Sequence, residues 1–355
     1  GCVMTVIDST AIPLQRRRAS DVTAGGMLSL LLLAAVAAFG CLLVGGRGID
    51  VGTDTYVYAG FFEGLGLYTV DTRLEPGFVY LSLALSKLGL DVTGYQTTLF
   101  ALLLVTVVVA THRYFKYLGD RRGYLTLLSA ALMLLFVSPM FVNGSINAIR
   151  QGLAALLVFT SLLSFYQRRW WSFAIYGALA SSLHFSSLMY LAFSPLLLIS
   201  PRLLRYVAAG AFLMYVSGLS MTLVRALAPA LYELVMEYTA NTNYRSGVRV
   251  DFAVFSIFWY ALPHILAPLV RSPYKELIKD STAIYLVMLL PFFTVGWGYF
   301  SNRYLLPGWL SVSVILAAIV CHSRIPLVRH PLVIRLGLVA SCAVFYFFVT
   351  NQIVI

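Results

Sequence analysis

"EPGFVYLSLALSKLGL" (Glu75–Leu90) is the stretch on which the fold turns, because it is apolar yet about one residue short of the usual minimum for crossing a bilayer. Glu75 and Asp91 flank it. If it crosses, every later loop changes sides; if it does not, it must turn back. Candidate spans lie at 27–46, 95–112, 123–142, 148–166, 170–184, 186–200, 205–224, 252–270, 281–299, 304–321 and 332–350. With Glu75–Leu90 not crossing and Arg16, Arg17 and Arg18 inside, 17 of the 25 Lys and Arg residues fall inside and 8 outside. Letting it cross changes the division to 9 inside and 16 outside. The excess of basic residues in cytoplasmic loops favours the first arrangement. The expected fold is therefore all-α: a polytopic integral membrane protein of about eleven transmembrane helices, with a re-entrant or interfacial helix near 75–90 on the outer side.

Composition agrees with a membrane protein. The 355 residues are 60% hydrophobic and 11% charged, with a mean hydropathy of +0.85. The first apolar run (Met27–Gly46) is span-length and has no small-residue cleavage site after it, so it reads as a retained helix. Residues 1–26 read as a cytoplasmic tail and 27–355 as one transmembrane domain with outer loops 47–94 and 225–251. The four cysteines show no metal-ligand spacing. The formal charge of +11 is scattered in short clusters between apolar runs, which excludes a nucleic-acid stripe and makes inner-loop residues such as Arg271 and Arg324 orientation anchors.

Orientation does not explain the outer charges, where 8 basic residues meet 9 acidic ones. They gather at 46–75, 143–151, 241–251 and 300–304, places a bundle can bring together. In "VNGSINAIRQGLAALL", Asn143-Gly144 reads as a turn and Ser145 as an N-cap. Asn147, Arg150 and Gln151 then share a helical face, and an arginine beside a helix N-terminus suits an anion, whether a substrate or a lipid phosphate. His184 in "ASSLHFSSLMY" stands at the outer junction of two short helices, either as a helix-end hydrogen-bonding residue or as a base or phosphate ligand. Arg245 and Arg249 in "NTNYRSGVRVDF" share a face if that part is helical. Upstream, "VRALAPALYELVMEY" has the pattern of an amphipathic helix lying flat on the membrane. Arg303 and Tyr304 open an apolar segment, where an aromatic belt is the plainer reading. Asp50 is either a second site carboxylate or a partner for Arg47.

Five motifs carry a resemblance: Gly52, Asp54 and Tyr58 after the first helix, "EPGF" (Glu75–Phe78), "IRQGLA" (Ile149–Ala154), "ASSLHFSS" (Ala180–Ser187) and "NRY" (Asn302–Tyr304). Together, from about Gly46 to Tyr304, they resemble the EpsG family of Wzy-like polysaccharide polymerases. The resemblance implies a glycosyltransferase of the bacterial inner membrane, N-terminus cytoplasmic, that polymerises undecaprenyl-diphosphate-linked oligosaccharide repeat units on the outer face for O-antigen or exopolysaccharide. Lipid-linked oligosaccharide would be both donor and acceptor, membrane lipids would surround the site, and a chain-length regulator and a flippase are implied partners. Nucleic acid is not. Carried over residue by residue, the catalytic candidates are Arg150, His184 and Asp54. Asn147, Gln151, Arg303, Tyr304, Asp50, Tyr58 and Glu75 are the substrate-binding candidates, and Arg245 and Arg249 join them by location alone. Arginines can neutralise a diphosphate leaving group without metal, so no cofactor is expected, although a divalent cation stays open. The competing readings are an O-antigen ligase, a transferase using a polyprenyl monophosphate sugar, and a lipid-linked oligosaccharide flippase or other transporter.

Overall fold

Proline and short polar caps punctuate the apolar sequence into helices. Pro76, Pro139, Pro201, Pro229, Pro273, Pro307 and Pro331 each stand in a first helical turn, where the missing N–H costs nothing. Asp91 caps its helix by accepting from Gly94 N at 2.7 Å. The computed structural model describes residues 11–65, 72–237 and 246–355, and side chains from residue 25 onward.

In chain order the helices are α1 (Ala11–Gly45), α2 (Thr55–Gly64), α3 (Pro76–Lys87), α4 (Val92–Tyr117), α5 (Tyr124–Phe136), α6 (Pro139–Ile146), α7 (Ile149–Tyr166) and α8 (Trp170–Leu183). They continue with α9 (Ser187–Ala192), α10 (Pro201–Val216), α11 (Leu219–Leu227), α12 (Pro229–Met236), α13 (Val250–Leu266), α14 (Ser272–Val295), α15 (Leu306–Cys321) and α16 (Pro331–Thr350). No strand forms among the described residues. The arginine-bearing stretch expected as a tail is helical from Ala11, as the start of α1.

The question raised by Glu75–Leu90 is answered by packing. A Cβ on Gly45, the last residue of α1, would fall 1.9 Å from Thr97 Oγ1 near the start of α4. Phe62 of α2 stacks on Tyr95 of α4, with ring centroids 4.0 Å apart. The chain thus leaves α1 and enters α4 at the same end of the bundle, called here the upper end. The short α3 lies between them and does not carry the chain across.

Among the described residues, seven helices are long and apolar enough to span a membrane, or up to nine if each of two sharply bent pairs counts as one. The bent pairs are α5–α6 (84°) and α10–α11 (86°), which fall on the expected spans 123–142 and 205–224. The difference from eleven lies in 170–184 and 186–200. These fall on α8, which is 14 residues long, and on the six-residue α9 with a 3-10 turn at Ser194–Leu198. The protein is a multi-pass membrane protein by these helices. A central α7 is almost wholly buried, with α14 and α15 beside it, while α1, α13 and α16 turn leucines, valines and phenylalanines outward, as a bundle solvated by lipid does.

Polar contacts clamp the opposite end. At the lower end His322 Nε2 meets Asp120 Oδ2 at 2.8 Å, and Arg271 Nη2 donates to His322 Nδ1 at 3.2 Å. Arg271 is thus a tertiary tie rather than only an orientation anchor. Arg335 pins α16 to α1 by donating to Gly25 O and Ser29 Oγ, each at 2.7 Å.

Candidate functional site

The upper end is assembled on a loop, three helix starts and one helix finish. In the loop after α1, Gly52 adopts φ +95°, and a Cβ there would lie 2.6 Å from Ile146 O and 2.9 Å from Asn147 Oδ1. Only glycine fits that approach. Thr53 N then donates to Asn147 Oδ1 at 2.7 Å, which fixes the loop on the α6–α7 junction. Asn147 is therefore a clamp for the loop. Asp54 precedes α2, and Tyr58 follows four residues later on the same face.

Glu75 is the hub. Its position ahead of α3 is that of an N-cap, but its side chain makes no capping bond to its own helix. Instead it is 4% exposed and reaches the finish of α8. Oε1 accepts from His184 Nδ1 at 2.7 Å and from Phe185 N at 3.1 Å, while Oε2 accepts from Arg150 Nη1 in an ion pair. Gly77 makes the approach feasible, since a Cβ there would lie 2.6 Å from Ser182 O of α8. Burial by itself raises the pKa of the Glu75 carboxyl, but the His184 hydrogen bond and the Arg150 charge outweigh it and hold the group at about 2. A carboxylate can only accept, so the His184 proton on that side resides on Nδ1. The neutral ring then keeps its lone pair on Nε2.

Arg150 Nε donates to Tyr58 Oη at 3.1 Å. Burial pushes the Tyr58 phenol up, and the guanidinium only partly offsets it, so the phenol keeps its proton. On the other side of the site, Gln151 Nε2 donates to Arg303 O, and Arg303 Nη2 meets Asp54 Oδ2 at 3.2 Å. The Arg303 guanidinium lies over the Phe300 ring, 4.3 Å from its centroid. Both partners of the Arg303–Asp54 pair are 32% exposed.

A cavity of about 260 Å³ opens beside this network. Gln151, His184, Ser186, Arg303 and Tyr304 form its polar part, and Met189, Leu231, Leu234, Val235, Tyr299 and Phe300 the rest. His184 and Arg303 thus line the cavity, whereas Glu75 is buried and Arg150, its side chain 21% exposed, is not among the lining residues. Position at the start of α7 suggested Arg150 as the main anion ligand, and its guanidinium is engaged with Glu75 and Tyr58.

Several sequence-based expectations are corrected. Asn143–Ile146 are helical within α6, so Asn143-Gly144 is no turn and Ser145 no N-cap. The Ser145 hydroxyl donates to Phe141 O at 2.7 Å, and α7 starts only at Ile149. Asp50 is exposed, is absent from the cavity wall and does not pair with Arg47, which donates to Val44 O and, at 3.4 Å, to Thr55 Oγ1. Arg249 is bidentate to Asp251, at 2.6 and 2.9 Å, and does not line the cavity. Arg245 lies outside the described residues. Tyr304 lines the cavity, and its carbonyl accepts from Tyr190 Oη at 2.9 Å. The sequence reading passed over the apolar wall from α12 and understated Glu75. The signal for Glu75 was present, since an acid opening a Pro-Gly helix start inside an oily stretch must find buried partners. Among the described residues no three His, Cys, Asp or Glu side chains come together in metal-holding array.

Residues 30–354 match the family model described as the EpsG family, and the chain belongs to that family. No curated protein and no solved structure matches it. Membership supports a polysaccharide-polymerase-like role for this membrane protein.

Proposed function

We propose that this EpsG-family chain is a glycosyltransferase that joins lipid-diphosphate-linked oligosaccharide repeat units on the outer face of the bacterial inner membrane. The observation that carries the reading is that Arg303 and His184 face one cavity while a buried carboxylate fixes His184 from behind. That arrangement suits displacement of a diphosphate by a hydroxyl. Outside the cell no nucleotide sugar is at hand, so the donor must already carry its leaving group on the lipid.

In the proposed reaction the acceptor hydroxyl oxygen attacks the donor's anomeric carbon, and the bond from that carbon to the diphosphate oxygen breaks. The diphosphate departs with the bonding pair and its charge is met by Arg303, whose planar fork suits phosphate oxygens. The hydroxyl proton passes to His184 Nε2. Glu75 accepts from Nδ1–H throughout, which holds the ring in the tautomer the transfer needs and stabilises the imidazolium formed. Arg150 and the protonated Tyr58 keep Glu75 in place. Asp54, one of the catalytic candidates, is assigned to orienting Arg303, and Gln151 to holding the Arg303 backbone.

The test is to supply the purified protein with a defined lipid-diphosphate repeat unit and look for a ladder of longer glycans, with and without chelator. The wild type yields the ladder in both. Arg303→Ala and His184→Ala lose at least about a hundredfold in rate, the scale of a lost charge stabiliser or general base. In cells either variant accumulates single repeat units on carrier already at the outer face. Accumulation at the inner face would identify a flippase, and transfer to a lipid core without a ladder would identify a ligase.

A further inference from the structure

The cavity has two chemically distinct ends, and only one has been used so far. Arg303, His184 and Gln151 make the polar end. The other is built by Met189 of α9 and by Leu231, Leu234 and Val235 of α12. No residue of α12 is buried. Leu234 is 64% exposed and yet lines the cavity, so the cavity opens to the surroundings at that point.

The placement of α12 is specific. The chain bends by 86° between α10 and α11, which turns it across the end of the bundle as the amphipathic pattern of "VRALAPALYELVMEY" led one to expect. Tyr232 stacks on Trp297 with centroids 5.2 Å apart, and a Cβ on Gly298 would lie 2.7 Å from Val235 Cγ1. These contacts hold α12 over the cavity by one edge and leave its leucines facing the opening. Leucine and methionine side chains give this opening an apolar lining, which suits a hydrocarbon chain.

We propose that the hydrocarbon chain of the lipid-linked donor leaves the site under α12, between Leu231, Leu234 and Met189, while its diphosphate meets Arg303. The inference rests on the glycosyltransferase reading for the identity of the ligand. The occupant follows from complementarity at both ends: a guanidinium at one end for phosphate, and at the other an apolar lining for a chain. A free sugar phosphate would leave the α12 wall without a partner, and an ordinary fatty acyl lipid would bring no glycan to His184.

Two readouts test this. Michaelis constants are measured for a donor bearing a long prenyl chain and for the same glycan diphosphate on a chain of about two isoprene units. The long chain is favoured by roughly tenfold or more in the wild type, and the preference collapses toward unity in Leu231→Asp and Leu234→Asp. Separately, a photocrosslinking phenylalanine analogue at position 234 captures the chain of a radiolabelled donor, while the same analogue at Ile175, an exposed position on α8, does not. Equal capture at both positions, or an unchanged chain-length preference in the folded variants, overturns the α12 channel even where polymer forms. A wild type that makes no polymer but captures the carrier selectively at 234 overturns the reaction and retains the lipid site. Neither polymer nor selective capture removes both.

Discussion

Glu75 shows how one buried residue can tie separate elements together. A carboxylate 4% exposed in an apolar setting persists as an anion only if several donors meet it, and here an arginine, an imidazole and a backbone N–H do so. Replacing it leaves the partly buried Arg150 uncompensated, so Glu75→Gln is expected to cost about 3 kcal/mol in stability, the scale for breaking a buried pair. The pH dependence has a definite sign. A carboxyl held at about 2 in the folded protein, against about 4.3 unfolded, contributes stability that is complete above the unfolded value. That contribution is lost only as pH falls from there toward 2. The melting-temperature gap between wild type and Glu75→Gln should accordingly not close between pH 8 and pH 5. A gap that already closes between pH 7 and pH 5 would show that Glu75 is not held low.

At the scale of elements, glycine sets the spacing of α6 and α7. A Cβ on Gly152 would lie 2.3 Å from Gly144 O and 2.9 Å from Gly144 Cα, backbone against backbone with nothing flexible to yield. The "IRQGLA" motif therefore has two physical parts: Arg150 holds Glu75 while Gln151 lines the cavity, and Gly152 lets α7 start close enough to α6 to put them there. Gly152→Ala should destabilise by about 1–3 kcal/mol through overpacking and weaken activity by displacing Gln151 and Arg303. Gly210→Ala on α10, where no heavy atom lies within 4 Å of the added carbon, provides the comparison and should leave the melting temperature unchanged or raise it. Similar losses in both would mean that helix flexibility rather than close approach matters at Gly152. The same logic explains "EPGF", whose glycine admits α8 and so joins Glu75 to His184.

For the whole molecule, the decisive property is that α1 ends and α4 begins together. The loop after α1 is further tied to the chain's finish, where Gln352 Oε1 accepts from Gly52 N at 3.1 Å. Asp50 and Asn351 therefore share one end of the bundle, and the lower-end loops at Arg121 and Leu327 share the other. In a background with the native cysteines replaced by serine, Asp50→Cys and Asn351→Cys should react with an impermeant thiol reagent in intact spheroplasts. Arg121→Cys and Leu327→Cys should react only after permeabilisation. Labelling of all four in intact spheroplasts would contradict the arrangement, and labelling of the second pair alone would invert the proposed sidedness.

The sequence by itself determined the class of the molecule. Long apolar runs of spanning length admit no other fold than a helical membrane bundle, because unpaired backbone groups are too costly in hydrocarbon. The bias of basic residues was enough to turn Glu75–Leu90 back, since loop charge is a property of order along the chain. The motifs were also legible, as were most of the residues that meet at the upper end. What only the tertiary structure decided is which of them line the cavity. Arg150 and Arg303 look equivalent in a string of letters, each an arginine near a helix start. Packing engages the first with Glu75 and Tyr58 and sets the second, paired with Asp54, on the cavity wall. Long-range contacts between α3, α7 and α8, separated by scores of residues, set that difference, and spacing within one helix does not record it.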